Sequence, residues 1–526
     1  MRRQDILARL GRPEPYDIAV VGGGATGLGV ALDAAARGLS VALVDSHDFA
    51  GGTSSRATKL VHGGVRYLAQ GRIGLVREAL HERATILRNA PHLAARLPFV
   101  MPSYGLWETP FYGAGLKLYD LLAGRAGLGT TELLGRRQTL ERLPGLRADG
   151  LKGGVLYWDG QFDDARLALA LARTAVQHGA TVLNYCEVTG LLHEDGKVAG
   201  LHCRDREGGG AFTVRARCVV NATGVWVDAL RAMDGAGAGQ LARPIVAPSQ
   251  GVHAVVDRAF LPGNHALIVP RTADGRVLFA VPWLGKLILG TTDTPRQDLP
   301  REPVHLPEEL DFILREAGRY LARAPRVADV RSVWVGLRPL VKPAGEDGGA
   351  TGAISREHTV EVRRSGLVTV TGGKWTTYRS MAEDVLARCV HAGLLKGLGA
   401  GVTANLPLVG AEPRSADPVD LSQPPGVHLY GSEAADVQAL PGADRELGGG
   451  LTEAMVRFAA RREYARTVED VLARRSRLLF IDAHLAARLA PAVAAVLQEE
   501  TGIDPAREAF DALAATYVPT AAVAGA

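Results

Sequence analysis

Cysteine is scarce in this chain. Four residues (Cys186, Cys203, Cys218 and Cys389) are spread over 526 positions, with no Cys-x-x-Cys pair. That spacing excludes a thiolate metal or iron–sulfur motif and a disulfide framework, so no metal is expected, and it suits a reducing cytoplasmic compartment. Charge of one sign is lacking too. Sixty Lys and Arg against 56 Asp and Glu leave a formal net charge of +4, which makes no global electrostatic case for nucleic acid. No apolar run reaches the ~18 residues of a membrane-spanning helix. A peripheral membrane site stays open. The opening MRRQDILARLGRPEPYD has arginines but no apolar stretch behind them and does not read as a secretory signal.

Glycine is plentiful, at 63 residues, and 47% of the chain is hydrophobic against 22% charged. This is the balance of a globular protein, and the length predicts two or three domains. Residues 16–21 (YDIAVV) read as a buried strand, 25–37 as a helix and 40–45 (SVALVD) as a second strand. That order predicts a parallel pair with a right-handed crossover. Helical spacing marks 75–90, whereas 91–150, rich in Pro, Gly and aromatics, is expected to be irregular. A helix over 164–178 has Asp164 as its expected N-cap. Strands follow near 180–188, 196–204 and 211–221, then β-like stretches through 243–340 and a helix near 307–323. Residues 342–353 read as an exposed loop, and 367–373 as a strand feeding a helix near Trp375. Residues 451–498 are almost continuously helical in pattern, and 516–526 reads as a loose tail.

Residues 22–27, Gly-Gly-Gly-Ala-Thr-Gly, satisfy G-x-G-x-x-G through Gly22, Gly24 and Gly27. The fingerprint follows a strand, opens a helix and precedes an acid, Asp45, at the end of the next strand, which is the full dinucleotide-binding context. Gly22 allows the tight turn, Gly24 the approach of backbone to pyrophosphate and Gly27 close helix–sheet packing. The helix start at Ala25 and Thr26 offers N–H groups and a positive dipole end to the phosphates. Asp45 can accept from ribose hydroxyls, and by itself it suits FAD or NAD equally.

The segment TSSRATKLVHGGVRYL (53–68) resembles the flavin and active-site signature of the FAD-dependent glycerol-3-phosphate dehydrogenases, within the D-amino-acid-oxidase-like flavoprotein superfamily. Similar motifs recur at DGQFDDARL (159–167), VVNATGVWVD (219–228), LGTTDT (289–294), VGLRPL (335–340), AISREHT (353–359) and GGKWTTYR (372–379). LYGSEA (429–434) and residues 459–482 resemble that family's helical cap. The resemblance implies an α/β Rossmann-like FAD-binding domain, an inserted β-rich α+β substrate domain and a C-terminal all-helical cap. The expected boundaries are 1–85, 153–240 and 340–400 for the FAD-binding domain and 86–152 and 241–339 for the substrate domain. A linker over 401–425 and the helical domain over 426–526 complete the chain.

The same resemblance implies FAD as the cofactor. Its contacts map onto Gly22, Gly24, Ala25, Thr26, Gly27 and Asp45 in the first unit, and onto Thr53, Ser54, Lys59, Leu60, His62 and Gly63 in the signature. Further contacts map onto Val188, onto Ala222, Thr223 and Gly224, and onto Gly373, Lys374, Trp375 and Thr376. The implied reaction oxidises sn-glycerol 3-phosphate to dihydroxyacetone phosphate, with hydride passing from C2 to flavin N5 and electrons leaving to a quinone. Substrate contacts map onto Arg66, Tyr67, His253, Arg338, Arg356 and Lys374, with His62, Arg338 and Lys374 in the catalytic set. Family members of this type sit peripherally on the inner face of a membrane, and a homodimer is compatible.

The chemistry of the residues agrees with that substrate. A phosphomonoester carries close to two negative charges, and arginine binds its oxygens bidentately. Arg338 lies in a hydrophobic frame where a solvated arginine is less expected; alone it also suits a structural ion pair. Alcohol oxidation needs an acceptor for the hydroxyl proton. His62 and His253 are both candidates; a lone histidine on a strand is more often a packed residue. The pattern departs from the family at Gln250, where a basic residue is expected, at Asp45, where glutamate is more usual, and in the long loop 342–353. Residues 111–122 (FYGAGLKLYDLL) suit an interfacial helix, although the pattern alone leans to an ordinary amphipathic core helix. Arg136, Arg137 and Arg142 suit anionic headgroups or water. Three other functions stay open: an oxidase using O2, an amino-acid or amine oxidase of the same superfamily, and a non-catalytic flavin-binding interaction protein.

Overall fold

The computed structural model describes residues 2–68, 71–235, 243–342, 357–411 and 419–519, with Arg66 described in its backbone alone. The expected parallel pair is present: Tyr16–Val21 runs parallel to Val41–Val44, with the helix Ala25–Ala36 between them. Alanines and glycines let that helix lie close to the sheet, where Leu28 and Val30 are fully enclosed. Burying each side chain of that size contributes roughly 1.5–3 kcal/mol. The first sheet runs His358–Val362, Leu367–Gly372, Ala211–Asn221, Tyr16–Val21, Val41–Val44, Thr181–Leu183. All neighbours are parallel except the first pair. Cys186–Glu194 and Lys197–Asp205 extend it antiparallel beside Ala211–Asn221.

The second sheet is mostly antiparallel. Val246–Asp257 pairs with Lys286–Gly290 on one side and with the long strand Val330–Val341 on the other. Ala94–Ser103, Gly153–Phe162 and the short Leu60–Val61 close its far end. Residues 153–162 therefore lie in the second sheet and not with the FAD-binding segment to which their position in the chain assigned them. Residues 91–150 are also more regular than expected. They hold the strand Ala94–Ser103 and the helices Glu108–Ala123 and Arg136–Arg142, because Leu97, Phe99 and Met101 alternate into one core.

The helix expected over 164–178 runs Asp164–Gln177, but its N-cap is Asp163, whose carboxylate accepts from Arg166 N at 3.2 Å. The C-terminal region is broken where the pattern suggested one helix. The helix Glu453–Arg462 ends near Tyr464 (φ +60°), a π-helical turn spans Asp470–Arg475, and Arg477 (φ +66°) precedes Leu478–Ile481. Ala483–Thr501 then starts under an Asp482 cap, and Arg507–Tyr517 follows, so order extends into the expected tail. A small hairpin, Glu446–Gly448 with Leu451–Thr452, is the exception to an all-helical cap. One hydrophobic cluster joins Leu472 and Phe480 of this region to Trp283 and Trp334 of the second sheet. The four cysteines are buried thiols, and Cys218 and Cys389, distant in sequence, come within 3.6 Å. Most of the loop expected at 342–353, and part of the linker expected at 401–425, lie outside the described residues.

Candidate active site

The glycine loop is built for close approach. Gly22 has φ +109°, and a Cβ there would lie 2.6 Å from the Ala222 carbonyl oxygen. A Cβ on Gly27 would collide with the carbonyl of Gly22. The helix begins at Gly24 with no side-chain cap, and Ala25 N donates to Ser54 Oγ at 2.9 Å. Thr26 and Gly27 follow in the same first turn, where helix-start amides are suited to an anion. The Asp45 carboxylate accepts from Gly23 N (2.7 Å) and His47 N (2.9 Å), which fixes its direction. Burial pushes its carboxyl above the ordinary value against those two bonds. Val188 lies half-buried beside the cluster of Val44, Leu183 and Cys203.

Four sequence segments converge on this loop. Ala222 N donates to Val21 O (2.9 Å), and Thr223 Oγ1 donates to Asn221 Oδ1 (2.8 Å) before Gly224 at φ +64°. Thr53 Oγ1 donates to Leu337 O (2.6 Å), next to Arg338. Trp375 Nε1 donates to Ser54 O (2.8 Å), and His62 N donates to Thr376 Oγ1 (3.2 Å). Gly373, at φ +73°, turns the chain so that Lys374 Nζ sits 3.9 Å from the centre of the Tyr67 ring. Gly63 N donates to Tyr119 Oη (2.8 Å), which donates to Asp159 Oδ2 (2.8 Å), itself paired with Arg83 (2.8 Å). The residues present thus fit a dinucleotide: glycines where a Cβ would strike neighbouring backbone, a helix start with no cap from its own N-terminal residue and an oriented acid.

Arg338 lies on the second sheet. Nη1 donates to Asp293 Oδ1 (3.1 Å) and Gln250 O (3.2 Å), and Nη2 to Thr292 O (2.9 Å) and Thr291 Oγ1 (3.2 Å). Its guanidinium occupies the space over Gly251 where a side chain would clash, and 21% of the side chain remains exposed. Two residues along the same strand, His253 stacks on Trp334 with ring centres 4.0 Å apart. Its Nε2 lies 2.9 Å from Thr58 Oγ1, and its Nδ1 is buried with no hydrogen-bond partner among the described residues. Burial first, then Arg338 and Lys59, hold its pKa well below the ordinary histidine value. Gln250 is fully buried; its Nε2 donates to Glu309 (2.6 Å), while its Oε1 accepts from Arg296 (2.8 Å). A cation is therefore present beside position 250, supplied by Arg296.

Two signature residues turn elsewhere than expected. The Lys59 side chain has no exposed surface; Nζ donates to Asp164 Oδ2 (2.7 Å) and Ser55 O (2.7 Å) and faces Trp334 at 4.6 Å. Burial holds Lys59 down at about 7 against the pull of Asp164. Leu60 is enclosed in the second-sheet core. Lys59 is left-handed, at φ +65°, which sends its side chain to Asp164, while the pairing of Leu60 with Gln161 places Leu60 in that core. The side chain of Arg66 and the whole of Arg356 lie outside the described residues. Residue spacing gave no sign of Thr58, Asp293, Tyr119 or Arg477, although Asp293 stood in a motif, LGTTDT, that a search for arginine partners would reach.

Residues 17–379 match a family model described as FAD dependent oxidoreductase, and 401–508 match the C-terminal domain of alpha-glycerophosphate oxidase. The fold, the glycine loop and these matches define the class, an FAD-dependent oxidoreductase. A probable mitochondrial glycerol-3-phosphate dehydrogenase of Caenorhabditis elegans is 43% identical over 96% of this chain and 73% of its own length. The mitochondrial glycerol-3-phosphate dehydrogenase of Rattus norvegicus is 42% identical over 95% and 72%. The crystal structure of the Bacillus halodurans glycerol-3-phosphate dehydrogenase complexed with FAD superposes with a TM-score of 0.77, at 30% identity over 98% of both chains. The chain belongs to the FAD-dependent glycerol-3-phosphate dehydrogenase family.

Proposed function

We propose that the protein oxidises the C2 alcohol of sn-glycerol 3-phosphate to dihydroxyacetone phosphate and passes the electrons to a membrane quinone. FAD, when bound, supplies the acceptor for the hydride at N5. The observation that carries the substrate is Arg338, a partly exposed guanidinium braced by Asp293, Thr291 and two backbone carbonyls above a glycine. Such bracing engages the Nη hydrogens with the protein and holds a fixed, partly exposed positive charge where a phosphate can approach. Lys374, Arg66 and Arg356 complete the cationic set, with the Tyr67 ring against Lys374, and Gly22, Gly24, Asp45, Ser54, Thr223 and Thr376 hold the dinucleotide. His253 is a weak acceptor for the hydroxyl proton, because burial, Arg338 and Lys59 all oppose the charge its ring would gain. Thr58, half-buried on the cofactor loop, lies 2.9 Å from its Nε2. His62 serves through its backbone, which Thr376 pins. Anaerobic addition of glycerol 3-phosphate to the purified yellow protein is expected to bleach the visible flavin band; an unchanged spectrum sinks the substrate.

The acceptor and location rest on the helix Glu108–Ala123. Trp107, Phe111 and Leu121 are exposed by 83%, 74% and 75%, with Leu106 and Leu133 nearby and Lys117, Arg125, Arg136 and Arg137 also exposed. An exposed aromatic and leucine face with a basic rim suits the headgroup boundary of an anionic cytoplasmic leaflet. The opposite face carries Tyr119, bonded to Gly63 of the cofactor signature, so this helix joins the lipid side to the flavin site. Replacing Trp107, Phe111 and Leu121 by serine is expected to abolish sedimentation with anionic vesicles. The same variant keeps its rate with a soluble dye acceptor; undiminished vesicle binding refutes the membrane face.

A further inference from the structure

We propose that Arg477, contributed by the C-terminal helical domain, is a positioning residue for FAD: it fixes the cofactor loop 53–59 from beneath through Ser55 and Asp164. Arg477 is fully enclosed. Nη2 donates to Ser55 O (2.7 Å) and Asp164 Oδ1 (2.9 Å), Nη1 to Ala473 O (2.8 Å), and Nε lies 3.6 Å from Asp163. Its backbone is left-handed, at φ +66°, in the break between the π-helical turn and Leu478–Ile481. The break is what aims the side chain out of the helical domain and under the loop.

The loop side shows why that contact bears on the cofactor. Ser55 O is shared with Lys59 Nζ, and Asp164 Oδ2 accepts both from Lys59 and from Ala57 N (3.0 Å). Arg477 and Lys59 thus grip one carbonyl and one carboxylate from opposite ends. The residue before Ser55 is Ser54, whose Oγ takes the first amide of the glycine-loop helix and whose carbonyl takes Trp375 Nε1. A shift of Ser55 moves the residue that ties two cofactor-binding segments together. The same domain reaches the other side of the cradle. Arg474 and Arg475 pair with Asp48, which precedes Ala50, whose N–H donates to Gly23 O (2.9 Å). Tyr517 donates to Glu302 (3.2 Å), which pairs with Arg56 of the loop. Three buried arginines and a tyrosine from one domain make these links, and packing of two apolar faces requires none of them.

The test uses the full-length holoprotein and three variants. Arg477→Met removes the bonds, Arg477→Lys keeps the charge without the fork, and Ser332→Ala cuts a buried interdomain bond (Ser332 Oγ to Leu479 O, 2.8 Å) away from the loop. The readouts are FAD retention on dilution, followed by release fluorescence, the flavin midpoint potential and the thermal midpoint. Arg477→Met is expected to raise the FAD dissociation constant at least 10-fold and to shift the potential, with Arg477→Lys between it and the parent. Ser332→Ala is expected to lower the thermal midpoint while leaving FAD affinity within twofold. Parental FAD affinity and potential in Arg477→Met, with only a lower thermal midpoint, overturns the proposal. If Arg477→Met does not fold, Arg477→Lys decides, and parental retention and potential there also overturn it.

Discussion

Two groups of cations lie on either side of the cofactor loop, and they are held in opposite ways. Beneath it, Lys59, Arg474, Arg475 and Arg477 are enclosed and matched to Asp48, Asp163, Asp164 and Asp470. On the side proposed for substrate, Arg338 keeps 21% of its side chain exposed and is braced by one carboxylate, a hydroxyl and two carbonyls. Lys374 rests against the Tyr67 ring. Desolvating a charge is costly unless it is paired, so the enclosed group must be matched acid for base. A braced cation that still meets solvent retains attraction for an incoming anion. The difference teaches that residue type does not separate the enclosed arginines from the one proposed for substrate in this chain; carboxylate content and enclosure do.

The comparison can be broken most forcefully at Asp164, the acid shared by Lys59 and Arg477. Asp164→Ala leaves the buried Arg477 and the Lys59 amine without their shared acid and is expected to cost about 3–5 kcal/mol. A large fall in soluble yield and denaturation midpoint reports it; a midpoint near the parent's means the network is not structural. Arg338→Ala attacks the other group. Truncating a hydrogen-bonded charge at the substrate is expected to lower kcat/KM for glycerol 3-phosphate about 100-fold, close to 3 kcal/mol, with FAD content unchanged. Equal losses of flavin and activity would place Arg338 with the structural cations.

A smaller effect comes from His92, pressed against Gly410 and Gly431. Burial, aided by Arg166 and Arg173, holds it at about 3, below its unfolded value of 6.5. The folded state thus refuses a proton that the unfolded chain accepts. The contribution is intact above pH 6.5 and is lost as pH falls toward 3, at about 1.4 kcal/mol per pH unit. Denaturant unfolding between pH 7 and pH 4.5 is expected to show that slope reduced by one proton in His92→Gln. An identical slope in the variant shows that the acid side of the comparison does not involve this ring.

Much of the fold was legible before any coordinates. The unit over 16–45 was, because strand, glycine loop, helix and acid are consecutive and their spacing is local. The helices 164–177 and 307–320 were, within a few residues. The C-terminal breaks at Tyr464 and Arg477 were not, since left-handed non-glycine residues leave no periodic trace and are stabilised by contacts far away in sequence. The direction of Lys59 was hidden for the same reason: its left-handed backbone, at φ +65°, sends the side chain to Asp164.

Local spacing was therefore sufficient for the dinucleotide loop, and shared motifs were sufficient for the family. Tertiary structure alone decided which cations meet acids. Arg477 and Ser55 are 422 positions apart, Arg338 and Asp293 are 45 apart, and Thr58 and His253 are 195 apart. No periodicity links such pairs. They meet because the second sheet and the helical domain bury one apolar cluster, a second cluster joins the first sheet to Ala94 and Phe162 of the second, and every charge carried into that interior must find a partner there.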